Sequence, residues 1–170
     1  MYIIMINPRK LDNSIIALLE GALSEEYTAH YFYRNATNYC KNAGYTGGEK
    51  FFSEEAESEL THAKLLQNYL ADWNVMPKMA KIDAPDSISG LVDAISKAYD
   101  LELFLYDKYN EISKKILPIN SEAFDFLQKF RDIQKSSVAE YSDLINQLRL
   151  IDSSDKFQLF YFDQEILKEK

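Results

Sequence analysis

The chain has 170 residues, about one domain's worth, with 46% hydrophobic residues to build a core and 27% charged. Its 5 glycines and 4 prolines are too few for a turn-rich β-sandwich or a disordered chain, and a single cysteine, Cys40, excludes a disulfide framework and a cysteine-based zinc site. The formal net charge of −8 argues against nucleic acid as a partner and fits a cationic partner or solubility alone.

The opening stretch from Met1 to Ile6 is apolar but too short for the core of an export signal. No basic residue precedes it and no small-residue cleavage site follows. No apolar run approaches the ~18 residues of a membrane span. With the lone thiol, this predicts a cytoplasmic protein without a membrane partner. The expected organisation is one domain over 1–170: an extension over 1–10, a helical bundle over 11–150 and a short helix over 154–168.

Four long segments carry helical periodicity. The first runs from about Leu11 to Lys41, with Ile15, Leu19, Ala22, Glu26, Ala29, Tyr33 and Ala36 on one stripe. Asn42-Ala43-Gly44 reads as its stop, with Gly47-Gly48 reinforcing the turn. The second runs from about Glu49 to Trp73 and carries Phe52, Ala56, Glu59, Ala63, Leu66 and Leu70 on one face. Pro77 and Pro85 keep the stretch from Asn74 to Asp86 out of helix. The third runs from about Ser87 to Leu117, with Leu91, Ile95, Tyr99, Glu102, Leu105, Tyr109 and Ile112 facing inward. Pro118 ends it, and Asn120 or Ser121 can cap the next helix. The fourth reaches about Leu150, along Leu127, Phe130, Gln134, Ser137, Tyr141, Ile145 and Leu148. A short amphipathic segment, Phe157 to Leu167, follows.

Loop lengths suggest the topology. Short turns join segments one to two and three to four, so each pair is antiparallel. The aperiodic connection between two and three, ~13 residues at ~3.3 Å each, can run the ~40 Å length of a helix. Helices two and three then run parallel. The expected fold is all-α: a four-helix bundle with a long crossover.

Each inward stripe is interrupted near its midpoint by a polar residue: Glu26, Glu59, Glu102 and Gln134. In a bundle of similar-length helices these midpoints share roughly one plane. Unpaired buried carboxylates cost several kcal/mol each or take up protons, so a cation is expected among them. His62 follows Glu59 by three residues, on the same face. Each of these residues alone is an ordinary boundary residue, and Glu-x-x-His by itself is a weak signal. Their coincidence at four midpoints is the informative observation. An oxygen-rich set with one imidazole suits iron, or manganese or zinc, better than a soft metal. Glu26 and His62 are assigned to one ion, Glu102 to a second, and Glu59 to both. Gln134 can hold a water or oxygen species near the second ion. Tyr33, two turns after Glu26, can hydrogen-bond a ligand and donate an electron.

These residues resemble the ferritin family in its non-haem bacterial branch, over about Leu11 to Leu167. Glu26 followed by Tyr33 resembles the first-helix pattern, and Glu59-Leu60-Thr61-His62 the second-helix metal motif. Glu102 resembles the third-helix ligand and Gln134 its fourth-helix counterpart. Leu159 to Glu165 is similar to the short fifth helix at the four-fold axes of the cage. The resemblance implies a shell of twenty-four subunits and a ferroxidase. Two irons per subunit would sit at a di-iron centre, where Fe(II) is oxidised by oxygen or hydrogen peroxide and then stored as ferric mineral. The metal ligands carried over are Glu26, Glu59, His62, Glu102 and Gln134, with Tyr33 beside them.

The departures are equally informative. The fourth helix lacks a second Glu-x-x-His, reading Ile133-Gln134-Lys135-Ser136-Ser137 instead. Leu60 stands where haem-binding relatives have methionine, so no haem is expected. Ser58, Ile133, Ser136 and Ser137 occupy the positions of a third iron site, which is expected to be missing or weak. Ser58, Thr61 and Lys64 replace mineral-nucleating carboxylates, and Phe124 and Leu127 are apolar at the usual three-fold channel positions. His30 is expected to be a core histidine bonded to a neighbouring helix, with a role beside Glu26 as the alternative. Cys40 reads as a small buried residue, and Trp73 as packing against the crossover. The intact ligand set favours a ferroxidase, while the lost accessory carboxylates favour a shell-forming subunit of weak activity. A twelve-subunit DNA-binding relative fits poorly, because the ligands lie within one bundle and a fifth helix is present. An oxygenase fits worse, for want of the second Glu-x-x-His.

Overall fold

The computed structural model of the protein describes residues 8–170. The expectation of no leader at Met1 to Ile6, and most of the expected extension, lies outside the described residues. Within them the helices are α1 (Asn13–Ala43), α2 (Thr46–Asp72), α3 (Leu91–Ile116), α4 (Ser121–Leu148) and the short α5 (Lys156–Phe162), which continues as a π-helical turn over Asp163–Leu167. No strand occurs among the described residues.

Local chemistry sets most of the ends. Asp12 caps α1, its side chain accepting from the Ser14 amide at 2.7 Å. Gly44 stops α1 in the left-handed region at φ 85°, with its N–H turned back onto the Cys40 and Lys41 carbonyls. Asn120 caps α4 through the Ala123 amide at 3.1 Å, and Asp155 caps α5 through the Phe157 amide at 2.8 Å.

Two boundaries differ from the sequence reading. Helix α3 starts at Leu91, and ahead of it the Ser89 amide donates a hydrogen bond to the Asp93 carboxylate at 2.9 Å. Helix α2 starts at Thr46, so Gly47 and Gly48 lie inside its first turn rather than in the loop. The cause is tertiary. A Cβ on Gly47 would sit 1.9 Å from the Asp163 carbonyl oxygen. The buried Asp163 carboxylate accepts from the Gly47 amide at 3.1 Å and the Gly48 amide at 2.7 Å. The C-terminal segment thus supplies the cap that Tyr45, which makes no side-chain cap bond, does not.

The topology is two antiparallel hairpins with α2 and α3 parallel. Gly48 lies beside Leu91, so the starts of α2 and α3 meet. Tyr69 near the end of α2 donates to Glu122 at the start of α4, 2.6 Å away. The crossover follows α1 from end to end. Asn74 reaches the Arg9 carbonyl, the Lys78 amide reaches Glu20, and the Asp86 carbonyl accepts from Asn35.

The core falls into two apolar clusters. One holds Tyr33, Phe52, Ala98, Tyr141 and Leu144, and the other Leu19, Leu66, Tyr109, Leu127 and Phe130. Trp73 is half-buried against the second cluster, so its packing is with the bundle. Each fully buried leucine or phenylalanine contributes about 1.5–3 kcal/mol relative to exposure. That apolar framework carries the cost of the polar layer between the clusters.

Candidate metal centre

Every helix of the bundle sends a buried polar side chain to that layer. Glu26 comes from α1, Glu59 and His62 from α2, Glu102 from α3 and Gln134 from α4. Glu26 and Glu102 are 0% exposed and Gln134 1%. Helical spacing alone puts these residues on the core face, and the shared level of the four midpoints stacks them into one layer.

Glu26, Glu59 and His62 form a group whose ligand atoms all lie within 4.8 Å of one another. His62 Nδ1 is 3.1 Å from Glu59 Oε2, a hydrogen bond. The same nitrogen is 3.3 Å from Glu26 Oε2, an ion-pair contact without hydrogen-bond geometry, since Glu26 Oε2 has no hydrogen-bond partner. Glu102 stands outside this group. Its Oε1 accepts from the Tyr33 hydroxyl, and its Oε2 has no partner. Gln134 Oε1 is likewise buried without a partner.

Three of the six buried side-chain atoms without a hydrogen-bond partner among the described residues are therefore oxygens of this layer. The pattern is ordered. In each of Glu26 and Glu102 a tyrosine hydroxyl holds Oε1 and leaves Oε2 free. Free carboxylate and amide oxygens beside one imidazole match the donor preference of Fe(II) and similar divalent ions. The residues present therefore fit a metal.

The electrostatics show what the layer costs without one. Burial pushes Glu59 well above the ordinary carboxylate range, helped by the adjacent Glu26. Burial also raises Glu102, to about 7, against the Tyr33 hydrogen bond that favours its charge. Of the surrounding charges, Glu55 acts on Glu102 more strongly than Glu26 does. Burial works against a charged His62, yet the contacts and charges of Glu26 and Glu59 prevail and raise it to about 10. Burial keeps the phenols of Tyr33 and Tyr109 protonated, so both stay hydrogen-bond donors.

Two residues at the site stand out only in the fold. In the sequence Tyr109 counts as one member of an inward stripe. Its hydroxyl donates to Glu26, and its ring stacks on Phe130 with centroids 5.0 Å apart. Glu55 is a half-buried carboxylate one turn before Glu59, and burial followed by the neighbouring Glu140 raises it to about 7. The i, i+4, i+7 spacing of Glu55, Glu59 and His62 was a usable signal for the second. His30 is half-buried rather than in the core, but it does bond the neighbouring helix as expected. Its Nδ1–H donates to the Ala56 carbonyl at 2.8 Å, which ties it to α2. Cys40 is buried, and burial pushes its thiol up to about 12.

The family described as a ferritin-like domain matches residues 16–151. A probable bacterial non-heme ferritin-like protein of Haemophilus influenzae is 25% identical over 158 residues, 92% of this chain and 95% of that protein. A bacterial non-heme ferritin of Escherichia coli O6:H1 is 23% identical over the same shares of each chain. Among solved structures, the open pore ferritin of the archaeon Archaeoglobus fulgidus has a TM-score of 0.88 at 20% identity, covering 94% of this chain and 98% of that one. A humanized archaeal ferritin also gives 0.88, at 22% identity over 95% and 99% of the two chains.

Proposed function

The chain belongs to the ferritin family, whose domain spans most of its length, and from that premise we propose that it stores iron and oxidises Fe(II) at a centre inside the bundle. The observation that carries this is the convergence of Glu26, Glu59 and His62 in a buried layer that leaves the second oxygens of Glu26 and Glu102 free.

Glu26 and His62 would hold one Fe(II) and Glu102 another, with Glu59 shared between the two. Bound iron would supply the electrons, one from each Fe(II), so that two electrons and two protons convert one oxygen molecule to hydrogen peroxide. Anionic ligands favour the ferric product because it carries the higher charge. Tyr109 and Tyr33 orient the two end carboxylates by holding Oε1 of each. Tyr33 donates to Glu102 and stacks on Tyr141. Gln134 brings a neutral oxygen to the second position and adds no charge.

The assembly is a homo-oligomeric cage of twenty-four subunits with no haem. Exposed apolar side chains on α5 and its approach support burial between subunits: Leu150 (84% exposed), Phe157 (74%) and Tyr161 (54%). The site of action is the cytoplasm. No helix among the described residues is long and apolar enough to cross a membrane.

The deciding measurement is aerobic Fe(II) oxidation by apo protein at a few irons per subunit, beside a Glu59→Ala, His62→Ala variant. Fast oxidation that saturates near two irons per subunit and is lost in the variant is expected. Equal slow rates in both would overturn the catalytic assignment. A shell-forming subunit of weak activity would then be the better account, favoured by Ser58, Ile133, Ser136 and Ser137, which put no carboxylate beside the centre.

A further inference from the structure

We propose that Glu55 is a ligand of the second metal position, and that α2 thereby supplies the carboxylate that α4 lacks. The inference rests on the metal centre proposed above and assigns one more residue to it.

The first argument is placement. Glu55 lies one turn before Glu59 and two turns before His62, on the face of α2 that turns to the layer. The Tyr141 hydroxyl donates to Glu55 Oε2 at 3.3 Å. The Tyr141 ring stacks on Tyr33, centroids 6.4 Å apart and planes 19° from parallel, and the Tyr33 hydroxyl donates to Glu102. The two stacked phenols thus hold one carboxylate each, and those carboxylates belong to the same end of the layer.

The second argument is the fully buried, unpartnered oxygen of Glu102 together with that of Gln134. Both are buried core-face acceptors at the midpoints of α3 and α4, left without a donor. Neither of these two oxygens can satisfy the other, because both are acceptors.

Charge is the third argument. Two divalent ions bring four positive charges into a buried layer. Glu26, Glu59 and Glu102 bring three negative charges, His62 is neutral when it ligates a metal, and Gln134 brings none. A fourth carboxylate balances the site, and an unbalanced buried charge is costly. Glu55 is free for that role, since no lysine or arginine pairs with it among the described residues. Its acidic neighbour Glu140 is already engaged by Lys170 at 3.3 Å.

The test is calorimetric titration of the assembled apo protein with Co(II), a redox-stable stand-in for Fe(II), with the visible spectrum of the bound ion recorded. Wild type is expected to bind two Co(II) per subunit. Glu55→Gln, which keeps an acceptor for Tyr141, is expected to bind one as before and the second at least ~10-fold more weakly, with an altered Co(II) spectrum. Glu55→Asp retains the charge on a shorter side chain and is expected to lose the second ion as well. Two unchanged sites in Glu55→Gln would overturn the proposal. So would a second site lost in Glu55→Gln and kept, with an unaltered spectrum, in Glu55→Asp, since charge alone would explain it. Failure of the underlying centre reads differently: wild type itself would bind no Co(II), or Glu59→Ala, His62→Ala would bind as much as wild type.

Discussion

Replacing Asp163 by alanine should loosen the C-terminal segment and cost several kcal/mol, although the residue lies far from the metal layer in sequence and in the fold. Asp163 is fully buried. Its Oδ1 accepts from the Gly48 amide at 2.7 Å and its Oδ2 from the Gly47 amide at 3.1 Å, both at the positive end of the α2 dipole. Each is a hydrogen bond to a charged group, worth about 1.5–3 kcal/mol. Truncation removes both and leaves two amides in a pocket that the chain itself does not refill. A loss of about 3–5 kcal/mol follows. For a chain of this length each kcal/mol moves the melting temperature by about 2–4 °C, so a drop of about 6–20 °C is expected. The assays are thermal unfolding by circular dichroism and the rate of proteolysis within α5. Asp163→Asn keeps one acceptor without the charge and should fall between wild type and alanine. Gly47→Ala should reproduce the proteolytic sensitivity by a different route, since its Cβ would collide with the Asp163 carbonyl. An Asp163→Ala protein that melts within 2 °C of wild type, with α5 equally protected, would refute the capping argument.

Other outcomes follow from the polar layer. Tyr109→Phe strips the hydroxyl from Glu26 Oε1 and leaves that buried oxygen unsatisfied, at about 1–3 kcal/mol. The loss should show in thermal melts of metal-free protein and shrink when Co(II) is added. Equal losses with and without metal would argue that Tyr109 acts only through packing. The metal-free protein should also become less stable as pH rises. The native pKa of Glu102 is raised to about 7, so its contribution is present below the unfolded value near 4.5 and is lost as pH climbs through 7. His62, raised to about 10, contributes fully below its unfolded value near 6.5 and loses that contribution as pH rises through 10. Denaturant melts of apo protein from pH 5 to 9 should therefore decline steadily. Divalent metal should offset the decline, because a bound cation favours deprotonated ligands. A metal-free stability that rises over that range would contradict the charge states assigned to the layer.

Sequence reasoning worked wherever the information was periodic or local. Stripes at three- and four-residue spacing located the four long helices, and the polar interruptions at Glu26, Glu59, Glu102 and Gln134 located the layer between the two apolar clusters. Gly44 and Asn120 marked ends because a left-handed φ and an amide-accepting side chain are properties of single residues. What periodicity leaves open is which atom on one helix meets which atom on another. That depends on the axial offset between helices, and the offset is set by how their side chains pack. So the tyrosine pairings with Glu26 and Glu102 became visible only in the fold. The same holds for the Tyr141 bond to Glu55, and for the cap that Asp163 places on a helix beginning more than a hundred residues earlier. Amino-acid order by itself determined that this chain builds a helical bundle with carboxylates at its centre. Tertiary packing decided which oxygen of each carboxylate is tied and which is free, because that choice belongs to contacts between helices and not to any one of them.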